Sequence, residues 1–129
     1  MKATLTNYHQ SPRKVRLVAD AIRGKSVMAA KHALTFFPKK SAPALEKLLD
    51  SAVANARNAG VAVDSLFIKT IFVNKGLAMR RMKPMARGRA NQIRKTMSHV
   101  VIELGTSLAP KKKAKNAAKK VKKAEIPNA

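Results

Sequence analysis

The sequence predicts an α+β domain: helices packed on one face of a small antiparallel sheet, a long β-hairpin arm protruding from it, and a disordered basic tail. Three observations carry this. Amphipathic helical periodicity is confined to the stretch before Gly60, and β-branched and aromatic runs take over from Leu66. Between Asp64 and Glu103 there is no acidic residue, yet Lys69, Lys75, Arg80, Arg81, Lys83, Arg87, Arg89, Arg94 and Lys95 all fall there. Beyond Leu108 the composition collapses to lysine and alanine.

Taken in order, Ala3–Tyr8 alternates weakly, Leu5 against Thr4 and Thr6, and reads as a short edge strand. Ser11-Pro12 is an N-cap followed by proline at the first helical position. Val15, Val18, Ala19 and Ile22 then recur at helical spacing, and Gly24 supplies the stop. Arg13, Arg16, Asp20 and Arg23 share another, basic face of this helix. Ser26 caps a second helix from Val27 to about Phe36, closed off by Pro38. In the third helix Leu45, Leu48, Leu49, Ala52, Val53 and Ala56 form a core-facing stripe, and Gly60 ends it. Each large side chain buried there contributes roughly 1.5–3 kcal/mol. Leu66–Val73 is a strand that feeds the arm through Asn74-Lys-Gly76, and Val100–Leu104 is apolar enough to return beside it.

The arm itself has two limbs, Leu77–Ala86 and Gln92–Leu104, joined at Arg87–Asn91. Pro84 forbids a continuous helix, and Gly88 offers the positive φ of a tight reversal. Ten strand residues reach roughly 30 Å at about 3.3 Å each. Met79, Met82 and Met85 cannot share one face at period two, and bases occur on both faces. A lone two-stranded ribbon is marginal in water, so an external anion must complete it. The arm is expected to be mobile in the free protein and to order on assembly.

A chain of 129 residues is one domain by length, placed at 1–108 with a tail at 109–129. The net charge of +22 and pI of about 11.4 rest on only six carboxylates. Solubility needs a net charge of only about 2–8, so this excess points to a polyanionic partner, nucleic acid before anionic membrane. No cysteine is present, which excludes disulfides and thiolate–metal sites. No apolar stretch approaches the length of a membrane span, and the cytosol is the expected compartment. Residues 110–129 hold eight lysines and one acid, with no apolar face, and are expected to be disordered.

Catalytic constellations are missing. Gly24-Lys25-Ser26 fits a relaxed phosphate-loop pattern, but an amphipathic helix stands where a strand is required. Glu46 and Asp50 lie four apart on one helix with no histidine or nucleophile nearby, as on a solvated face. His9, His32 and His99 are scattered and form no metal-ligand spacing; His99, at the arm's root, is expected to donate a hydrogen bond to phosphate or backbone. No enzyme, cofactor, metal or small-molecule substrate is expected. Arginine, which forks onto phosphate, dominates the arm, whereas the tail has only lysine. None of the aromatics (Tyr8, Phe36, Phe37, Phe67, Phe72) lies in the arm, so the partner is read by shape and backbone, as folded RNA or a duplex would be. A DNA-architectural protein with a duplex-wrapping arm is the alternative, although such arms carry an apolar wedge where this tip has Arg-Gly-Arg.

These residues resemble a known family, bacterial large-subunit ribosomal protein twenty-two, from about Ser11 to Leu104. The likeness is carried by Ser11-Pro-Arg-Lys-Val-Arg-Leu-Val-Ala-Asp-Ala-Ile-Arg-Gly24, Leu49-Asp-Ser-Ala-Val-Ala-Asn-Ala56 and Ile71-Phe-Val73. Above all it is carried by Met79-Arg-Arg81, Ala86-Arg-Gly-Arg-Ala90, Ile93 and Ser98-His99. The sequence departs from the family at Met85 and Thr96, where relatives commonly carry a base, and has Met-Arg-Arg for the usual Met-Lys-Arg.

The resemblance implies three helices on a three-stranded antiparallel sheet, in a ribosomal RNA-binding protein of the large subunit whose arm lines the nascent-peptide exit tunnel. The residues then expected to meet ribosomal RNA are Arg13, Lys14, Arg16, Arg23 and Lys25 on the helical side, and Lys69 and Lys75 along the strand. In the arm they are Arg80, Arg81, Lys83, Arg87, Arg89, Arg94 and Lys95, with His99 at its root. Met79, Arg80 and Arg81 would lie near the tunnel constriction, and Arg87, Gly88, Arg89 and Ala90 would face the nascent peptide at the tip. Large-subunit protein four would be the neighbour across that constriction. No role for the tail follows from the likeness.

Overall fold

The computed structural model describes residues 1–106; the tail expected to be disordered lies outside them. Three strands make one antiparallel sheet in the order β1-β3-β2, with β1 at Lys2–Tyr8, β2 at Leu66–Pro84 and β3 at Ala90–Thr106. Three helices, α1 (Pro12–Ile22), α2 (Val27–Thr35) and α3 (Ala42–Asn58), connect β1 to β2 and cover one sheet face.

The helices form where apolar periodicity and chain punctuation agree. In α1, Val15, Val18, Ala19 and Ile22 are fully buried, Pro12 opens the first turn, and Gly24 follows at φ 73°. The Ser26 hydroxyl accepts the Ala29 N–H at 3.4 Å and so caps α2. The expected α3 stripe is buried along its whole length, joined by Ala42 at the start. These side chains meet Val100, Ile102 and Leu104 of the central strand.

On β2 the inward residues are Leu66 and Ile68, then Ile71 and Val73, so the alternation changes parity. A register shift between Ile68 and Thr70 explains it: the extra residue turns the strand so that both pairs face the core. Without it, a period-two strand would bury either the first pair or the second. This bulge is absent from the sequence-based expectation of one regular strand.

β2 is also an edge strand, and over the body its free edge is covered. Arg16 donates from Nε and Nη2 to the Val73 carbonyl at 3.1 and 2.8 Å, and Arg23 donates to the Ile71 carbonyl at 3.3 Å. The Ile68 N–H donates to the Lys25 carbonyl at 3.0 Å, and Ser26 bridges to Phe67. Masking an edge in this way blocks pairing with another chain.

Two further shifts mark where the arm leaves the sheet, one in β1 between Leu5 and Tyr8 and one in β2 between Lys75 and Ala78. Both converge on Ser98 of β3. Gly76 is required there, since a Cβ would stand 2.9 Å from the His99 ring and 3.3 Å from the Met97 carbonyl. Beyond this point Ala78–Pro84 pairs with Ala90–Thr96, and β1 no longer pairs alongside. The seven-residue ladder extends about 23 Å at roughly 3.3 Å per residue.

The tip is tighter than the sequence suggests. Arg89 N–H donates to the Ala86 carbonyl at 3.4 Å, with Arg87 at φ 59° and Gly88 at φ 68°. Two positive φ values make this a type I′ turn, whose twist matches a hairpin. The expected joint at Arg87–Asn91 therefore shortens to residues 86–89, and β3 begins at Ala90. Arg87 holds a left-handed conformation that costs a non-glycine residue about 1–2 kcal/mol.

Leu49→Asp buries a carboxylate where nothing can pair with it, at a cost comparable to the whole stability of a small domain. It is expected to abolish the helical circular-dichroism signal, whereas Lys47→Asp on the exposed face of α3 should leave that signal intact. Arg87→Asn is expected to relieve the strained turn and stabilise the hairpin by about 1 kcal/mol. Slower amide exchange at Met85 and Arg89 is the measurement that checks it.

Candidate nucleic-acid interface

The arm is a cationic ribbon with no counter-charge of its own. Arg80 stands directly opposite Arg94 in the ladder, Met79 opposite Lys95, and Arg81 opposite Ile93. Like charges directly opposed across strands are destabilising. Among the described residues two ion pairs form, Arg23–Asp20 at 3.0 Å and Lys31–Asp50 at 2.7 Å, and neither involves the arm. Lys75, Lys83, Arg87 and Arg89 are likewise exposed, so every base of the arm faces solvent. Met82, Met85 and Ile93 are exposed among them, apolar surface with no packing partner in the body.

Along this ribbon the residues expected at the tunnel occupy two levels. Met79, Arg80 and Arg81 lie near the root, while Arg87, Gly88 and Arg89 form the turn with Ala90 as its first paired neighbour. The two levels are separated by roughly 20 Å of strand.

At the root the arm and the body enclose a cleft of about 600 Å³. The body contributes His9, Gln10, Ser11, Lys14 and Lys40; the arm contributes Met79 and Arg81 from β2 and residues 94–97 from β3. Four consecutive β3 residues line it because β1 leaves the ladder at the Tyr8–Ser98 pair and uncovers that edge. Tyr8 then holds the rim in place, its hydroxyl donating to the Lys40 carbonyl at 3.1 Å. A phenol is protonated at neutral pH, and burial pushes Tyr8 further above its ordinary range, in the direction that keeps it a donor. No carboxylate lines the cleft.

The remaining predicted residues are spread over the body. Arg13 is exposed on the first turn of α1, beside Lys14 in sequence. Arg16 and Arg23 commit hydrogen bonds to β2 carbonyls, and Arg23 also pairs with Asp20, so these guanidiniums staple helix to sheet as well as facing solvent. Lys25 and Lys69 are exposed near the opposite end of β2 from the arm. His99 finds a backbone partner, but with the opposite sense from the expected donor: its Nδ1 accepts the Asn7 N–H at 3.1 Å. In the neutral ring the proton therefore sits on Nε2, which lies against Gly76.

Sequence reasoning missed His9, Gln10 and Lys40, since nothing in their local pattern announces that β1 and the loop before α3 border the arm. The phosphate-loop pattern is accounted for structurally: α1 precedes Gly24, and the Ser26 hydroxyl serves α2. Among the described residues no cluster of His, Asp or Glu could hold a metal ion, and no helix is long and apolar enough to cross a membrane.

Residues 3–105 match the family described as ribosomal protein L22p/L17e. The chain is 49% identical over 106 residues to the large ribosomal subunit protein uL22 of Pelobacter propionicus, covering 81% of this chain and 96% of that one. It is 50% identical over 103 residues to the protein of the same name from Citrifermentans bemidjiense, covering 79% and 93%. With that of Mesoplasma florum it shares 54% over 102 residues, covering 78% and 91%. The matches nearly exhaust the relatives yet leave about a fifth of this chain unmatched, as the family match ending at residue 105 also does. An α+β body, an arm of unneutralised bases and this sustained identity agree, and the chain belongs to the L22p/L17e family of large-subunit ribosomal proteins, structural constituents of the ribosome rather than enzymes.

Proposed function

We propose that the protein binds large-subunit ribosomal RNA by phosphate neutralisation and extends its arm along the nascent-peptide exit tunnel, with Arg87–Ala90 facing the growing chain. The observation that carries this is the Arg80–Arg94 pair within a ribbon that lacks any acid. Such a ribbon gains stability where phosphates lie along it and relieve that repulsion. RNA helices that repel one another are then drawn together as the cationic arm and body displace their counterions. At the tip the glycine and short turn keep the ribbon narrow, as a wall element of a tunnel must be. Large-subunit protein four is the neighbour this reading places across the constriction near Met79–Arg81.

With on the order of five to nine phosphate contacts, affinity for a large-subunit RNA fragment should fall with salt at a log–log slope near −4 to −8. Arg80→Ala combined with Arg94→Ala should reduce that slope by up to about 2 units without changing the thermal melt of the body. A slope near zero, or equal affinity for duplex DNA at matched salt, would defeat the RNA assignment. In translating ribosomes, a photo-crosslinker at Ala90 should capture the nascent chain, while one at Ala54 on the exposed face of α3 should not. The free arm should also exchange its amides rapidly and become protected on assembly; a protected arm in free protein would contradict completion by RNA.

A further inference from the structure

We infer that the cleft at the root of the arm is a pocket for a single unpaired nucleotide extruded from folded RNA, its phosphates on the cationic rim and its base over Met79 and Met97. The inference rests on the RNA-binding reading and adds to it a discrete site with a defined ligand.

Size is the first argument. About 600 Å³ lies within the range of small-ligand pockets, roughly 300–1,000 Å³, and far below what a turn of duplex needs. The cleft is half open to solvent and has room for a group of about a nucleotide's size, whereas a continuous helix would lie along the arm outside it. The distribution of chemistry is the second. The cleft wraps the uncovered edge of β3: Lys14 and Lys40 line it from the body, Arg81 and Lys95 from one face of the arm and Arg94 from the other, with no carboxylate between them. The Ser11 hydroxyl, at the start of α1, makes no capping bond.

Two methionines on one strand face also line the cleft, Met97 buried at 7% exposure and Met79 exposed at 39%, polarisable thioethers that pack well against the face of an aromatic ring. Gln10 and Thr96 add neutral donors and acceptors of the kind that read base edges. RNA is read by sequence chiefly where bases are unstacked, in bulges and loops, because its duplex major groove is too narrow for side chains. The pocket sets an apolar surface for a base beside cations for its phosphates, in a recess that the open ribbon does not offer. Because the rim belongs half to the body and half to the arm, a bound nucleotide would also fix the angle between them.

Two RNA hairpins, identical except that one carries a single bulged 2-aminopurine, test this with the full chain at matched salt. The bulged hairpin is expected to bind about tenfold tighter, with a change in 2-aminopurine emission on binding. Lys14→Ala with Lys40→Ala should erase the advantage. Lys47→Ala with Arg57→Ala, which removes the same charge from the exposed side of α3, should preserve it. Met79→Ala should weaken the emission change more than the overall affinity. Equal, salt-sensitive affinity for both hairpins would overturn the pocket and leave the RNA reading standing. An advantage that survives in the Lys14/Lys40 variant would place the nucleotide elsewhere and overturn it too. Failure of wild type to bind either hairpin in moderate salt would remove the RNA reading itself and the pocket with it.

Discussion

The pairing of β2 with β3 runs from the core to the tip, stepped by register shifts between Ile68 and Thr70 and between Lys75 and Ala78, and the rest of the molecule is fitted around it. Near Val73 and Val100 the ladder is held by helix packing; near Arg80 and Arg94 it is held by backbone hydrogen bonds alone. The helices bury only the first half of this ribbon. β1 pairs with β3 just as far as Ser98, and α1 covers the β2 edge just as far as Val73. Both supports stop within two ladder positions of each other, which turns a single strand pair into a body and an arm without any linker between them. Small domains of this size have little stability to spare, so rigidity at the root depends on a few contacts, Gly76 against His99 among them.

Charge divides along the same line. The body places its acids beside bases, as in Arg23–Asp20 and Lys31–Asp50, while the arm has none to place. Exposed pairs of that kind contribute little to stability, but their distribution is informative: the field of the molecule is strongest where its own packing is weakest. A ribbon so built gains more from a phosphate than from any residue of its own chain.

Much of this was legible in the sequence, and the parts that were not have common physical causes. The α3 stripe was readable because a helix repeats its burial every turn, and nothing interrupts Leu45 to Ala56. Gly88 marked the turn because composition records glycine's freedom, whereas the positive φ of Arg87 left no such mark. The bulge near Lys69 was hidden since its need arises only when two inward pairs must meet one core. Arg16 and Arg23 pointed to a basic face, yet a long guanidinium reaches sideways to a strand as readily as outward. The cleft was invisible for a simpler reason: its walls come from four segments far apart in sequence.

The open edges of the arm carry a cost before assembly. Past Ser98 and Val73 both strands present unpaired backbone groups, the surface on which two copies of a protein zip together. Mutual repulsion between arms is what holds copies apart in the meantime. It follows that the bases that meet RNA also keep free copies apart beforehand, and that partial neutralisation by short oligonucleotides is the hazardous condition: it would remove the repulsion while leaving the edges bare.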